Sequence, residues 1–241
     1  MLPQFYQKIA ALNVKHHSAL CIEPVSQLAF AKSTNAVHLQ VSEFGKALST
    51  YPIVFAGEKE QMFAAALTGL AKEQNLFVDD DGQWTQGYVP AYVRRYPFVI
   101  ANKEKDLATV CIDESYDGFN TDAQGESLFT SKGEHSAYLK QTITFLEDFE
   151  KASVKTKYFC QQLLEHDLLE PMSAQVQPAN KQQQQVSVKG FYVVSRDKLA
   201  KLSADQLKAL NDNGVLESIY RHLSSLEQFS GLLARYNSLK S

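Results

Sequence analysis

Between Ser136 and Leu169 apolar residues return at helical spacing: Leu139, Ile143, Leu146 and Phe149, then Phe159, Leu163 and Leu164. A stripe of that length and period calls for an amphipathic helix that lays one face on a core. The stretch Ser153–Thr156 is the expected break between two helices. Upstream of Ser136 the helical period is lost. Apolar residues come instead in short runs punctuated by proline and glycine, the pattern of short strands and turns. A chain that changes period in this way is neither all-helical nor all-β.

The first half resolves into candidate elements. Leu20–Ile22 and Val37–Leu39 read as strands. Ser42 is placed to cap a short helix, Glu43–Leu48, which Tyr51-Pro52 stops, because proline disfavours the helical region for its predecessor. Ile53–Ala56 reads as a buried strand that pairs with Ala64–Leu70 across the polar turn Gly57–Gln61. Asn75–Asp79 runs into Asp81-Gly82, a hairpin-turn dipeptide. Pro90 starts a short helix, Ala91–Tyr96, and Pro97 ends it. Phe98–Ala101 and Thr109–Asp113 read as a strand pair joined by the charged loop Asn102–Asp106.

In the second half Ala174–Gln177 and Val186–Val194 form a further hairpin, with Pro178–Gln185 as its flexible polar tip. Ser203 and Gln206 make a capping box, Gly214 ends that helix, and Leu216, Ile219, Leu223, Leu226 and Phe229 mark a final amphipathic helix. The expected fold is α+β: a mostly antiparallel sheet with short helices in the first half, then longer amphipathic helices plus a hairpin. A chain of 241 residues can bury one sizeable core. We expect a single compact domain over 1–241, with a sheet-rich 1–117 and a helix-rich 134–241 as its sub-division across the polar loop Gly118–Gly133.

Composition excludes several classes. A net charge of −3 gives no global pull toward nucleic acid or anionic membrane. The longest apolar run, Phe63–Leu67, falls far short of the ~20 residues of a membrane-spanning helix. The opening residues carry no basic region followed by a long apolar one, so no signal peptide is expected. Three widely spaced cysteines, Cys21, Cys111 and Cys160, argue against a disulfide framework and for a reducing compartment, the cytoplasm.

No nucleophile elbow, phosphate-binding glycine loop, dinucleotide fingerprint or paired-cysteine zinc motif is present. Asp79–Gly82 fails as a calcium loop, because Phe77 and Tyr88 would stand at its first and closing ligand positions. His16, His17 and Cys21 lie close in sequence but lack partner ligands, and read as surface and strand-edge residues. His166, beside Glu165, Asp167 and Glu170, reads as a solvated helix end. Cys111 and Cys160 fall in apolar patterns and read as inert core thiols. The helix–turn–helix outline of Ser203–Leu226 lacks the basic face a DNA reader needs. No catalytic residue, metal or cofactor is expected, and nothing specifies an oligomeric state.

The stretch Trp84–Phe98 stands apart. It holds the only tryptophan, Tyr88, Tyr92, Tyr96 and the adjacent Arg94 and Arg95. Guanidinium groups read carboxylates and phosphates, and aromatic rings stack on sugars or on guanidinium planes. Trp84, Tyr88, Tyr92, Arg94 and Arg95 are therefore the candidate ligand-binding residues, for a small anionic or sugar-like ligand. The structural alternative pairs one arginine with Glu43 or with an aspartate of Asp79–Asp81 and sets the rings in the core. Neighbouring residues on a helix point ~100° apart, so the two arginines are not expected to serve one ligand.

As a set and in order, EFGKALSTYPIVF (43–55), LTGLAKEQNLFVDDDGQW (67–84), YVPAYVRRYPFVIA (88–101) and VKGFYVVSRDKLAKL (188–202) resemble the bacterial SapC family. The shorter runs CIDE, GESLF, FLEDFE, LLEPM and NGVLESIYRHLSSL agree, and the likeness extends from about Ala10 to Leu233. His38 stands where a proline-like residue is expected. The family name comes from a protein linked to a bacterial surface layer. Its members occur near TonB-dependent receptors and near halogenase-like and cupin-type proteins. The resemblance implies a non-enzymatic accessory or interaction protein, with a protein partner, serving nutrient uptake or the modification of an imported compound. It carries over no catalytic residues. A binding protein for a small anionic or sugar-like ligand and an enzyme of unrecognised type are the rival readings.

Overall fold

A computed structural model of the chain describes residues 2–103, 107–176 and 186–238. In chain order the strands are β1 (Ile9–Ala11), β2 (Cys21–Ile22), β3 (Ala36–His38), β4 (Ile53–Ala56), β5 (Phe63–Leu67), β6 (Phe98–Lys103), β7 (Leu107–Asp113), β8 (Phe119–Asn120), β9 (Glu126–Ser127), β10 (Leu169–Val176) and β11 (Val186–Val194). The α-helices are α1 (Val14–His17), α2 (Phe44–Ala47), α3 (Ala91–Arg94), α4 (Ala137–Glu165), α5 (Arg196–Ala200), α6 (Ala204–Asp212), α7 (Val215–Ser225) and α8 (Gln228–Ser238). Neighbouring strands pair antiparallel throughout, and the fold is α+β.

The contacts divide the chain into two units, each made of segments distant in sequence. The first comprises Met1–Leu28 and Ala91–Lys151. It contains the sheet β1-β7-β6 and the small sheet β8-β2-β9. Its core gathers Ile22, Phe98, Ile112, Leu128, Leu139 and Leu146. Asp113 pins the N-terminal segment to it. One carboxylate oxygen accepts from the Gln7 amide at 2.7 Å, and the other from the Lys8 amide at 2.8 Å and the Ser115 hydroxyl at 2.7 Å. Burial alone would raise this carboxyl, yet the bonds from Ser115, Gln7 and Lys8 outweigh it and hold it below the usual carboxylate range.

The second unit comprises Ala29–Pro90 and Ala152–Ser241. Its sheet runs β10-β11-β4-β5-β3. The β4–β5 hairpin pairs Ile53 with Ala66 and Ala56 with Phe63 around the expected Gly57 turn. Gly57 has φ +97, a value that favours glycine. Its core is larger, built on Phe44, Tyr51, Phe55, Phe77, Phe159, Leu163, Leu210, Ile219 and Leu223. Helix α7 is fastened to this sheet by two side chains: the Val194 amide donates to His222 Nε2 at 3.0 Å, and the Ile53 amide donates to Ser225 Oγ at 2.9 Å.

Four details depart from the reading of the sequence. Helix α4 is continuous through Ser153–Thr156, where the Thr156 hydroxyl lies within 2.8 Å of the Ala152 carbonyl and accepts the Val41 amide at 2.9 Å. The helical stripe also stops at Glu165. Asp167 takes φ +48 and the Leu168 amide bonds back to the Leu163 carbonyl at 2.9 Å, so Leu168 and Leu169 follow a helix cap and enter β10. The first short helix opens at Val41 as a 3₁₀ turn, with Glu43 accepting from the Gln40 amide, one turn position before Ser42. The final stripe is two helices, α7 and α8. The hairpin of β10 and β11 is present, while its expected tip Pro178–Gln185 and most of the loop Asn102–Asp106 lie outside the described residues. No helix among the described residues is long and apolar enough to cross a membrane.

Candidate functional site

The five residues singled out between Trp84 and Arg95 divide between the two units: Trp84 and Tyr88 belong to the second, Tyr92, Arg94 and Arg95 to the first. In the second unit Trp84 stacks on Phe77, centroids 6.2 Å apart, and its Nε1 donates to the Tyr51 hydroxyl at 2.9 Å. That hydroxyl donates onward to the Tyr88 carbonyl, and burial pushes its pKa well above the usual phenol range. The Tyr88 hydroxyl donates to Glu43 at 2.8 Å. The Arg235 guanidinium covers the other part of the Phe77 ring, 4.5 Å from its centroid. The polar atoms of Trp84 and the Tyr88 hydroxyl are thus held in a network that ties the Asp81-Gly82 turn region to α2 and α8. Glu43 takes Tyr88 and Gln40 here, and Asp80 takes Lys32 at 2.6 Å.

In the first unit Arg94, the last residue of α3, and Arg95, which follows it, meet different surroundings. Arg94 is exposed and lies over Phe145, 5.2 Å from the ring centroid. Arg95 is 7% exposed. Its guanidinium carbon sits 4.0 Å from the centroid of Tyr92, 4.7 Å from Phe149 and 5.7 Å from Tyr6. Each wall is held in place. The Tyr92 hydroxyl accepts from the Gln4 amide at 3.0 Å, and the Tyr6 hydroxyl donates to the Phe98 carbonyl at 2.6 Å. Phe149 is carried by α4 and is itself buried.

Within this ring of aromatics Arg95 Nε makes no hydrogen bond, and no carboxylate of the described residues lies in ion-pairing distance of the guanidinium. A buried lysine can shed its proton, but a guanidinium stays charged, so the charge must be met by something else. The three rings meet part of it through their π faces. Glu150, next to Phe149 and half-buried, meets another part at longer range. Burial raises its carboxyl above the usual range, and Arg95 pulls it back. Burial, opposed chiefly by Arg95, also raises the Tyr6 phenol, and burial with Asp113 pushes Tyr96 to about 12. A buried, charged fork of N–H donors among rings can receive a small anion.

Neither Tyr6 nor Glu150 stood out in the sequence. Phe149 appeared there only as one apolar position of the long helix. The signal that links them, proximity to Arg95 across about ninety residues for Tyr6, is not written in local spacing.

The second unit carries a cleft of about 300 Å³ lined by His38, Gln40, Gln61, Phe63, Thr156 and Lys157, among others. His38 stacks on Phe63 at 4.1 Å, and the buried Thr156 joins Val41 and Gln40 at 2.9 and 2.8 Å.

The other titratable candidates have defined partners. His17 Nδ1 accepts from the Asn13 amide at 3.1 Å, so its proton rests on Nε2, 3.7 Å from Glu114. That proton faces a carboxylate, which suits orientation rather than base chemistry. His166 approaches Gln206 at 3.5 Å at a surface helix end, and Asp167 pairs with Lys198 at 3.1 Å. Cys21, Cys111 and Cys160 are free and buried, and burial pushes the Cys160 thiol up to about 12. Among the described residues no three histidine, cysteine or acidic side chains are grouped to hold a metal ion.

A family model for SapC matches residues 12–232, and the chain belongs to that family. No curated protein and no solved structure matches the chain.

Proposed function

We propose that this SapC-family chain is a non-enzymatic accessory protein that holds a small anionic ligand at Arg95. The observation behind the reading is the buried guanidinium of Arg95, ringed by Tyr6, Tyr92 and Phe149, with no carboxylate of the described residues in ion-pairing distance. A fixed charge in that setting gains more from an anion than an exposed arginine would, because water screens it less. Three free, buried cysteines fit a reducing compartment, and we place the protein in the cytoplasm. Family membership is what supports a role in uptake or in modification of an imported compound.

A protein partner is the second reading. Val154 and Tyr158, one turn apart on α4 in the second unit, are 71% and 46% exposed. An apolar pair on one helix face suits a docking contact. Native mass spectrometry of the protein isolated gently from its own cells separates the two. A retained low-mass anion, lost in Arg95→Gln, supports the ligand reading. A bare chain that no small anion stabilises, or a stoichiometric protein partner in place of a ligand, counts against it.

A further inference from the structure

We propose that the cleft of the second unit binds a neutral sugar of monosaccharide size. This goes beyond the anion at Arg95, which belongs to the first unit, and stands or falls separately. The cleft, at about 300 Å³, lies at the low end of the volumes that hold small ligands. Three stretches of the second unit converge on it: the end of β3 with Leu39 and Gln40 after it, the hairpin turn that leads into β5, and α4 at Ser153, Thr156 and Lys157.

One side chain marks the cleft as a built site. Gln40 is 7% exposed and is held at both ends. Its backbone amide donates to Glu43 at 2.8 Å, and its Oε1 lies 2.8 Å from the Thr156 hydroxyl, which itself accepts the Val41 amide at 2.9 Å. Among the described residues Nε2 of the same amide makes no hydrogen bond, and it is reached by solvent rather than sealed in protein. A fixed donor in a nearly buried side chain is costly to leave unmet, and a ligand oxygen in the cleft meets it.

The rest of the lining selects the class of ligand. Beside Gln40 stands the His38–Phe63 stack, centroids 4.1 Å and planes 20° apart, a wall on which the apolar face of a sugar ring can lie. Glu60, Gln61 and Ser153 add donors and acceptors from separate elements. Hydroxyls spread around a ring can use such scattered groups, whereas a flat heterocycle presents its polar atoms along its edge. The buried lining residues, Leu39, Gln40, Met62, Ala64 and Thr156, are all uncharged. Glu60 and Lys157 are exposed and opposite in sign. An ionised ligand group would therefore lose water at the floor with no charge there to replace it.

The test is NMR titration of the full ¹⁵N-labelled chain with D-glucose, D-galactose and D-mannose, for the wild type, Ser153→Phe and Gln40→Met. D-glucuronate and nicotinamide serve as the ionised and the flat comparison. At least one hexose is expected to bind saturably, with a Kd of about 1–10 mM, and to shift the Gln40 side-chain amide. Ser153→Phe fills the cleft from the helix and should weaken that hexose at least about tenfold. Gln40→Met should weaken it about fivefold, the scale of one neutral hydrogen bond. Binding of no hexose, a stationary Gln40 amide, or an unchanged Kd in Ser153→Phe overturns the site. Glucuronate or nicotinamide binding at least about tenfold more tightly than every hexose overturns the choice of a neutral sugar. Should Gln40→Met fail to fold by circular dichroism, the wild-type amide shift and Ser153→Phe still decide the matter.

Discussion

Acidification should loosen the second unit through one side chain, His222. Its ring is fully buried in α7, 4.8 Å from the Phe55 ring, and its Nε2 accepts the Val194 amide. Burial lowers its pKa from 6.5 to about 4, opposed in part by the Ile53 backbone and helped by Arg196. The folded state therefore keeps the imidazole neutral where the unfolded chain takes up a proton. The stability this contributes is complete above pH 6.5 and is lost as pH falls toward 4. At about 1.4 kcal/mol per pH unit the full loss is about 3.5 kcal/mol, and about 2.5 kcal/mol of it falls between about pH 7.5 and 4.5. Trp84 is the only tryptophan and lies in the same unit, so urea unfolding followed by its fluorescence reads the relevant transition. Carboxylates also titrate in this range, so the comparison is with His222→Gln, which keeps an acceptor for Val194 but cannot titrate. The variant should lose about 2.5 kcal/mol less than wild type over the same pH step. Parallel losses in the two proteins would refute the account of His222.

Asp113→Ala removes the acceptor for the Gln7 and Lys8 amides and for Ser115, and should weaken the first unit by about 3 kcal/mol or more; faster hydrogen exchange at the Gln7 and Lys8 amides is the readout, and unchanged exchange contradicts it. Gly69→Ala puts a Cβ 1.8 Å from the Gln74 carbonyl oxygen, whereas Gly190→Ala meets nothing within 4 Å and strains only a φ of +85. The first should therefore destabilise by about 2 kcal/mol or more and the second by about 1 kcal/mol, in urea melts of the second unit. Reversal of that order would be a failure of the packing argument. With its thiol pushed up to about 12, Cys160 should resist alkylation at mildly alkaline pH until urea opens the fold, and rapid stoichiometric labelling of the native chain would contradict this.

Local chemistry was legible in the sequence wherever it is decided locally. The Ser203–Gln206 capping box, the β4–β5 hairpin and the Pro90-initiated α3 all follow from neighbouring residues, and all are present. The misread places are those where distant residues intervene. Thr156 falls in the expected break, but its hydroxyl receives the Val41 amide from more than a hundred residues away, and the helix runs through it. The units themselves are assembled from segments such as Met1–Leu28 and Ala91–Lys151, joined by pairings like Ile9 with Asp113. The aromatic–arginine stretch attracted notice through composition alone. Which rings enclose Arg95 depends on Tyr6 and Phe149, both outside that stretch.

The central claim is that Arg95 Nε–H is a buried donor used by an anion. The most direct measurement is NMR of the chain labelled with ¹⁵N-arginine, with the Arg95 Nε–H resonance assigned by its loss in Arg95→Lys. On addition of benzoate that resonance should move downfield, in a saturable way, and its exchange with water should slow, while the Arg94 resonance changes little. A stationary Arg95 signal, or shifts shared equally by every arginine, would contradict the claim.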